Sequence, residues 1–301
     1  MAIEKDWDRA FLADRKGSAA TRDRAWKTWR AVRSFAAEKK WDLGPTSITP
    51  KQMRMYLEHR SGVISARSIQ NEASHLRRAI QGAGRDIGDV RDAKNSWSST
   101  RMQLPEASRI GGKAAADPAK WALATPRMPS DIRAVVGLID AMGLRCKESI
   151  MSSPSLKEWA RELDKPDSAV RGCALHITLG TKGGRPRFLS IPPNRIEMVK
   201  AAVSTARFVS AAQRGDIVKS PDLEKALKRY SNCISRHGLT GTDSGHGLRR
   251  AFAQAQYAYY REIGLDETRA LSRLSTDLGH GDGRGRWVWN NYLMGGSGET
   301  A

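Results

Sequence analysis

His246-Gly247-Leu248-Arg249, then Leu278-Gly279-His280, then Trp289-Asn290-Asn291-Tyr292-Leu293 concentrate the chemistry of this 301-residue chain in its final fifth. Ala251, Phe252 and Ala255 predict a helix over 245–256, which sets His246 and Arg249 three residues apart on one face of its first turn. Thr242, Asp243 and Ser244 offer caps just upstream. A helix N-terminus, an imidazole and a guanidinium together suit a phosphate. Alone, the tetrapeptide reads more readily as a buried histidine and a surface arginine on an ordinary amphipathic helix. His280, however, follows a glycine expected to end a helix over 266–277, so its ring projects from a helix-terminal turn. A tyrosine hydroxyl, with a reference pKa of about 10, becomes a useful nucleophile only where cations stabilise the phenolate and a transferring phosphate. Tyr292 follows such a set closely.

Upstream, Pro129-Ser130-Asp131 opens a predicted helix carrying Ile132, Val135, Val136 and Ile139, and Gly143 breaks it just before Arg145. A buried helix thereby delivers Arg145 to a fixed place. Gly143-Leu144-Arg145-Cys146-Lys147-Glu148 pairs that arginine with Glu148 three residues on, which alone is no more than an i,i+3 ion pair. Leu175, Ile177 and Leu179 alternate with His176 and Thr178, and Arg187–Ile191 continues extended. The span 174–191 therefore reads as a β-hairpin, with Thr181-Lys182-Gly183-Gly184-Arg185 at its turn. A lysine there is ordinarily just solvated. The stretch 159–167 is expected to be an inserted surface helix or loop.

The net charge is +19. Split at residue 110, 22 Lys and Arg face 13 Asp and Glu before it, and 29 face 19 after it. Both halves are basic, which suits two domains gripping a polyanion, nucleic acid first. The apolar content of 40% builds cores, and no apolar run reaches membrane-spanning length. The N-terminus lacks a signal-peptide core, and Cys146, Cys173 and Cys233 lack metal-ligand spacing. The expectation is a cytoplasmic protein, associated with the nucleoid, with reduced thiols and no metal.

The N-terminal half reads as helices. Trp26, Trp29, Val32 and Ala36 line one side of 20–40, with Lys27, Arg30 and Arg33 beside it. Thr49 caps and Pro50 opens a helix running to about His59. Ile69, Ala73, Leu76 and Ile80 mark the core face of 64–81, while Arg67, Asn71, Ser74 and Arg78 repeat the same spacing on another face able to meet DNA or plain solvent. Pro105, Gly111-Gly112, the Lys113–Ala116 run and Pro118 form an expected linker, which gives domains 1–112 and 113–301.

Together the H-G-L-R, L-G-H, late-tyrosine, G-L-R-x-x-E and hairpin-lysine blocks resemble the tyrosine recombinase (phage integrase) family, with their residues in family order over 143–292. The resemblance implies a mainly α fold with a small antiparallel β-sheet (α+β). It comprises a helical N-terminal core-binding domain and a catalytic domain closed around duplex DNA. It implies that Tyr292 attacks a phosphate to give a 3′-phosphotyrosyl link, with Arg145 and Arg249 clamping the phosphate oxygens and Glu148 orienting Arg145. Lys182 would be the general acid, His246 would assist proton transfer, His280 would hydrogen-bond the phosphate, and Arg185 would touch DNA. No cofactor is implied, because the phosphodiester energy is kept in the tyrosyl ester. The expected partners are double-stranded attachment sites, further copies of this chain (a tetramer in the synapse) and a directionality factor. A single-subunit topoisomerase, a telomere resolvase and a silent DNA-binding protein are the alternatives. The twelve residues from His280 to Tyr292 exceed the family's usual spacing, and the glycines between them suggest a loop that gates the tyrosine.

Overall fold

A computed structural model describes residues 2–13, 19–88, 96–106 and 114–294. The chain divides into two compact units, Met1–Arg109 and Ile110–Ala301.

The first unit is helical. It comprises α1 (Ala2–Leu12), α2 (Ala19–Glu38), α3 (Pro50–Ser61) and α4 (Ala66–Gly82). Helix α3 begins as its sequence dictates. Gln52 N donates to Thr49 Oγ1 at 3.2 Å, Thr49 N donates to Gln52 Oε1 at 2.9 Å, and Pro50 occupies the first helical position where no N–H is needed. Ile69, Ala73, Leu76 and Ile80 of α4 are all buried, together with Trp29, Val32 and Ala36 of α2. Trp7 and Phe11 of α1 complete this core, their ring centroids 6.4 Å and 5.6 Å from Trp29.

The second unit comprises α5 (Pro118–Ala124), α6 (Ser130–Met142), α7 (Cys146–Ile150), α8 (Leu156–Leu163), α9 (Ser168–Arg171), β1 (Cys173–Ile177), β2 (Arg187–Ile191), α10 (Ile196–Ala212), α11 (Leu223–Arg236), α12 (Gly245–Glu262), α13 (Glu267–Asp277) and α14 (Gly285–Val288). Apolar on almost every side, α6 packs against α10 and α12 at the centre of the core. It ends at Gly143, whose φ of 59° is left-handed and whose missing Cβ leaves room for the Phe252 ring. The hairpin pairs Leu175 with Leu189 and His176 with Phe188, antiparallel. Its strands are shorter than 174–191, because a 3-10 turn over Lys182–Gly184 joins them. The fold is mainly helical with one small antiparallel sheet, and among the described residues no helix is long and apolar enough to cross a membrane.

Two expectations change. Residues 107–113 of the expected linker lie outside the described residues. Beyond them, Ala116 is buried and donates its N–H to Gly247 O, and Pro118 is the first residue of α5, with Asp117 as its cap. A Pro after an Asp is a helix start as readily as a linker mark. The stretch 159–167 is a helix end followed by exposed residues 164–167, as expected of a surface element, but its helical part is anchored inward. Trp159 and Leu163 are buried core, and the Trp159 indole N–H donates to His176 O at 2.9 Å, tying α8 to the hairpin.

Candidate active site

Arg145 is the N-cap of α7, placed there by the left-handed glycine two residues before it. Its backbone N–H donates to Glu148 Oε2 at 2.8 Å, its Nη1 to Glu148 Oε1 at 2.7 Å and its Nη2 to Leu278 O at 3.1 Å. The side chain is 22% exposed, whereas that of Glu148 is fully buried. Such a carboxylate needs every lone pair answered. Arg187 answers the other half with two parallel bonds, Nη1 to Oε1 at 2.7 Å and Nη2 to Oε2 at 2.9 Å, and Arg249 Nη1 stands 3.9 Å from Oε2. Burial alone raises the Glu148 pKa. The Arg187 bonds and charge, then the Arg249 charge and the Arg145 N–H, outweigh it and bring the value down to about 2.

Sequence reading missed Arg187. The signal was there in the alternation of β2, because Arg187 shares the inward phase with buried Leu189 and Ile191. A cation on the apolar side of a strand calls for a buried acid. Its Nε also donates to Asp277 O at 2.7 Å.

Helix α12 starts after Ser244, but none of the expected caps donates or accepts as one. Ser244 Oγ turns back to Gly241 O, and Asp243 accepts from Asp117 N and Lys120 Nζ. Arg249, only 1% exposed, spends its donors inside the unit: Nη1 on Gly143 O, Nη2 on Leu278 O at 2.5 Å and Nε on the Tyr292 hydroxyl at 3.4 Å. Leu278 O thus serves both Arg145 and Arg249. The carbonyls left unpaired at the end of α13 are the acceptors that hold three guanidiniums in one cluster.

Gly279, with φ 66°, closes α13 in a Schellman turn: Gly279 N bonds Thr276 O at 2.8 Å and His280 N bonds Ser275 O at 2.9 Å. This local geometry aims the His280 ring back at the cluster, with Nε2 at 3.3 Å from the Tyr292 hydroxyl. Burial first, then the charges of Arg249, Arg145, Lys182 and Arg187, depress His280 to about 3, so its imidazole is neutral near neutral pH. Lys182 is exposed on the hairpin turn and joins the group through that charge; Arg185 is exposed beside it.

The span 281–291 is more than a glycine loop. Gly281 and Gly283 turn at φ 80° and 77°, and then α14 rises and runs into a π-helical turn, Trp289–Leu293, that carries Tyr292. Trp287 on α14 lays its ring 4.4 Å from His280 and 6.0 Å from Tyr292. His246, exposed at the start of α12, approaches the tyrosine ring from another direction at 5.6 Å, and Gln254 Nε2 holds Tyr292 O at 3.2 Å. Tyr292 is 2% exposed and already among the cations and histidines. The residues added between His280 and Tyr292 build a helix that packs on the site.

In the first unit Arg33, Arg67, Asn71 and Ser74 are exposed. Arg30 is exposed with its guanidinium over Trp26, 3.8 Å from Glu4. Arg78 departs from the row, half-buried with its guanidinium 4.1 Å over the Phe11 ring, a cation–π contact that draws it to the core.

A sequence profile of the integrase family, described simply as integrase, matches residues 103–255, just over half of the chain. The match takes in Arg145, Lys182, His246 and Arg249. A search of curated protein sequences finds no match. Among solved structures, a lambda integrase dimer bound to a COC′ core site is 17% identical with a TM-score of 0.59, over 100% of this chain and 99% of that one. The integrase of the Tn1549 transposon in complex with circular intermediate DNA is 13% identical with a TM-score of 0.55, over 96% and 94%. XerH, a site-specific recombinase bound to palindromic difH substrate, is 14% identical with a TM-score of 0.53, over 91% and 77%. At these identities the structures speak for the shared fold, and the profile speaks for descent: the chain belongs to the integrase family of tyrosine recombinases.

Proposed function

We propose that this protein is a site-specific DNA recombinase that integrates and excises a mobile element such as a prophage. The observation that carries the reading is the Tyr292 hydroxyl lying 3.4 Å from Arg249 Nε and 3.3 Å from a neutral His280 Nε2, beside the Arg145–Glu148 pair. Tyr292 attacks the scissile phosphorus, the 5′-oxygen of the next nucleotide leaves, and a 3′-phosphotyrosyl ester forms; reversal by another strand's 5′-hydroxyl rejoins DNA. Arg145 and Arg249 bind the non-bridging oxygens, a task suited to the planar guanidinium. His246, whose ring stands 5.6 Å from that of Tyr292, assists proton transfer at the nucleophile, and His280, held neutral, hydrogen-bonds the phosphate. Lys182 on the exposed turn protonates the leaving oxygen.

The partner is duplex DNA, bound both by the basic helical residues 1–112 and by the catalytic residues 113–301. A homotetramer forms the synapse, a directionality factor sets the direction, and the reaction takes place on the nucleoid in the cytoplasm. The test is Tyr292→Phe on a nicked suicide substrate carrying the element's own junction. The change removes one oxygen and no charge, so DNA affinity should stay near wild type while the covalent adduct disappears. Adduct persisting in the variant would transfer the nucleophile elsewhere.

A further inference from the structure

Arg250 stands outside every hydrogen bond described above. It is 8% exposed, and its Nε and Nη1 are buried with no hydrogen-bond partner among the described residues. A guanidinium stays ionised and carries five donors, so burying one unanswered is costly. Arg249, its neighbour in sequence, is buried still more deeply, at 1% exposed, but gives its donors to Gly143 O, Leu278 O and Tyr292 Oη.

Helical spacing locates Arg250. His246 lies four residues before it and Gln254 four after, on the same face of α12. Both meet the nucleophile's segment, His246 through its ring at 5.6 Å from the Tyr292 ring and Gln254 through its bond to Tyr292 O. Arg250 sits between them; burial lowers its pKa, and the charge of Tyr292 opposes that in part. Successive residues on a helix point about 100° apart, so Arg250 and Arg249 leave α12 in different directions.

We propose that Arg250 is a further phosphate-binding residue, receiving a non-scissile phosphodiester of the strand that Tyr292 attacks. The inference deepens the recombinase reading above and rests on it. An anionic oxygen supplies the acceptor that the protein withholds from the buried donors, and it does so only when DNA is bound.

The test measures affinity for a generic duplex oligonucleotide across a sodium chloride series with the full chain, as wild type, Arg250→Met and Arg250→Lys. A lost phosphate contact makes the slope of log K against log salt shallower by about 0.9, and Arg250→Met should show this with affinity weakened by roughly ten- to a hundredfold. Arg250→Lys should keep the wild-type slope. The melting temperature of Arg250→Met should not fall, because the change removes an unpaired buried charge. An unchanged slope in Arg250→Met overturns the proposal. With a lowered melting temperature, that result makes Arg250 a structural residue. With a shifted pH profile of adduct formation, it makes Arg250 a residue that tunes Tyr292. A wild-type chain without salt-dependent DNA binding would instead sink the recombinase reading itself, so the two failures are separable.

Discussion

Replacing Arg187 with alanine tests how the arginine cluster is held. Glu148 accepts four hydrogen bonds, from Arg145 N and Nη1 and from Arg187 Nη1 and Nη2, and Arg187→Ala removes two of them. Holding that carboxyl at about 2, against an ordinary glutamate value of about 4.3, contributes roughly 3 kcal/mol, each tenfold change in proton affinity being worth about 1.36 kcal/mol. The side chain is fully buried, so solvent screening takes little away. Without Arg187, burial pushes the carboxyl up against Arg145 and Arg249 alone, and most of that contribution goes. Breaking a buried ion pair costs about 3–5 kcal/mol by independent measure, which agrees. For a unit of this size, a loss of about 3 kcal/mol lowers Tm by roughly 6–12 °C. The pH dependence is specific. A depressed folded-state pKa stabilises above about pH 4.3 and loses that effect as pH falls toward 2, so the gap between wild type and variant should be full at neutral pH and narrow at about pH 3. The lost bond to Asp277 O remains as a pH-independent part. Thermal melts followed by circular dichroism at the two pH values decide it. A loss below about 2 °C at neutral pH, or an equal loss at both, would refute the view that Arg187 keeps Glu148 ionised.

Lys182→Ala should slow cleavage of ordinary DNA by about 10²–10⁴-fold yet cleave a 5′-phosphorothiolate substrate near the wild-type rate, because a thiolate leaves without a proton; Arg145→Ala should fail on both. If sulfur does not rescue, Lys182 binds or positions DNA. His280 is held near pKa 3 in the fold, against an ordinary value of about 6.5, so its stability cost grows as pH falls from about 6.5 toward 3, where the unfolded chain takes a proton that the folded one refuses. An imidazole NMR signal from His280 that titrates near neutrality would contradict this. Residues 1–112 alone should retain salt-sensitive affinity for duplex DNA in a gel-shift series; none, or affinity indifferent to salt, would remove them as a DNA-binding part.

What the sequence determined by itself was local. Gly143 and Gly279 end α6 and α13 in left-handed turns, Thr49 and Pro50 start α3, and the periods of α4 and α6 name their buried faces, because each depends on residues within a turn or two of one another. The family pattern names Arg145, Lys182, His246, Arg249, His280 and Tyr292 without saying which donors meet which acceptors. That assignment belongs to the tertiary structure. Glu148 draws its second arginine from a strand 39 residues away. Leu278 O, an unpaired helix-end carbonyl, is shared by Arg145 and Arg249, 133 and 29 residues distant. Arg249 and Arg250 are adjacent and identical residues, yet one has Nε, Nη1 and Nη2 answered while the other leaves Nε and Nη1 without a partner among the described residues. Trp159 read as part of a surface helix or loop and is buried, and Arg78 read as part of an outward row and lies on Phe11. In each case the deciding partner is remote along the chain, and only packing brings it within the short reach of a hydrogen bond or a ring face.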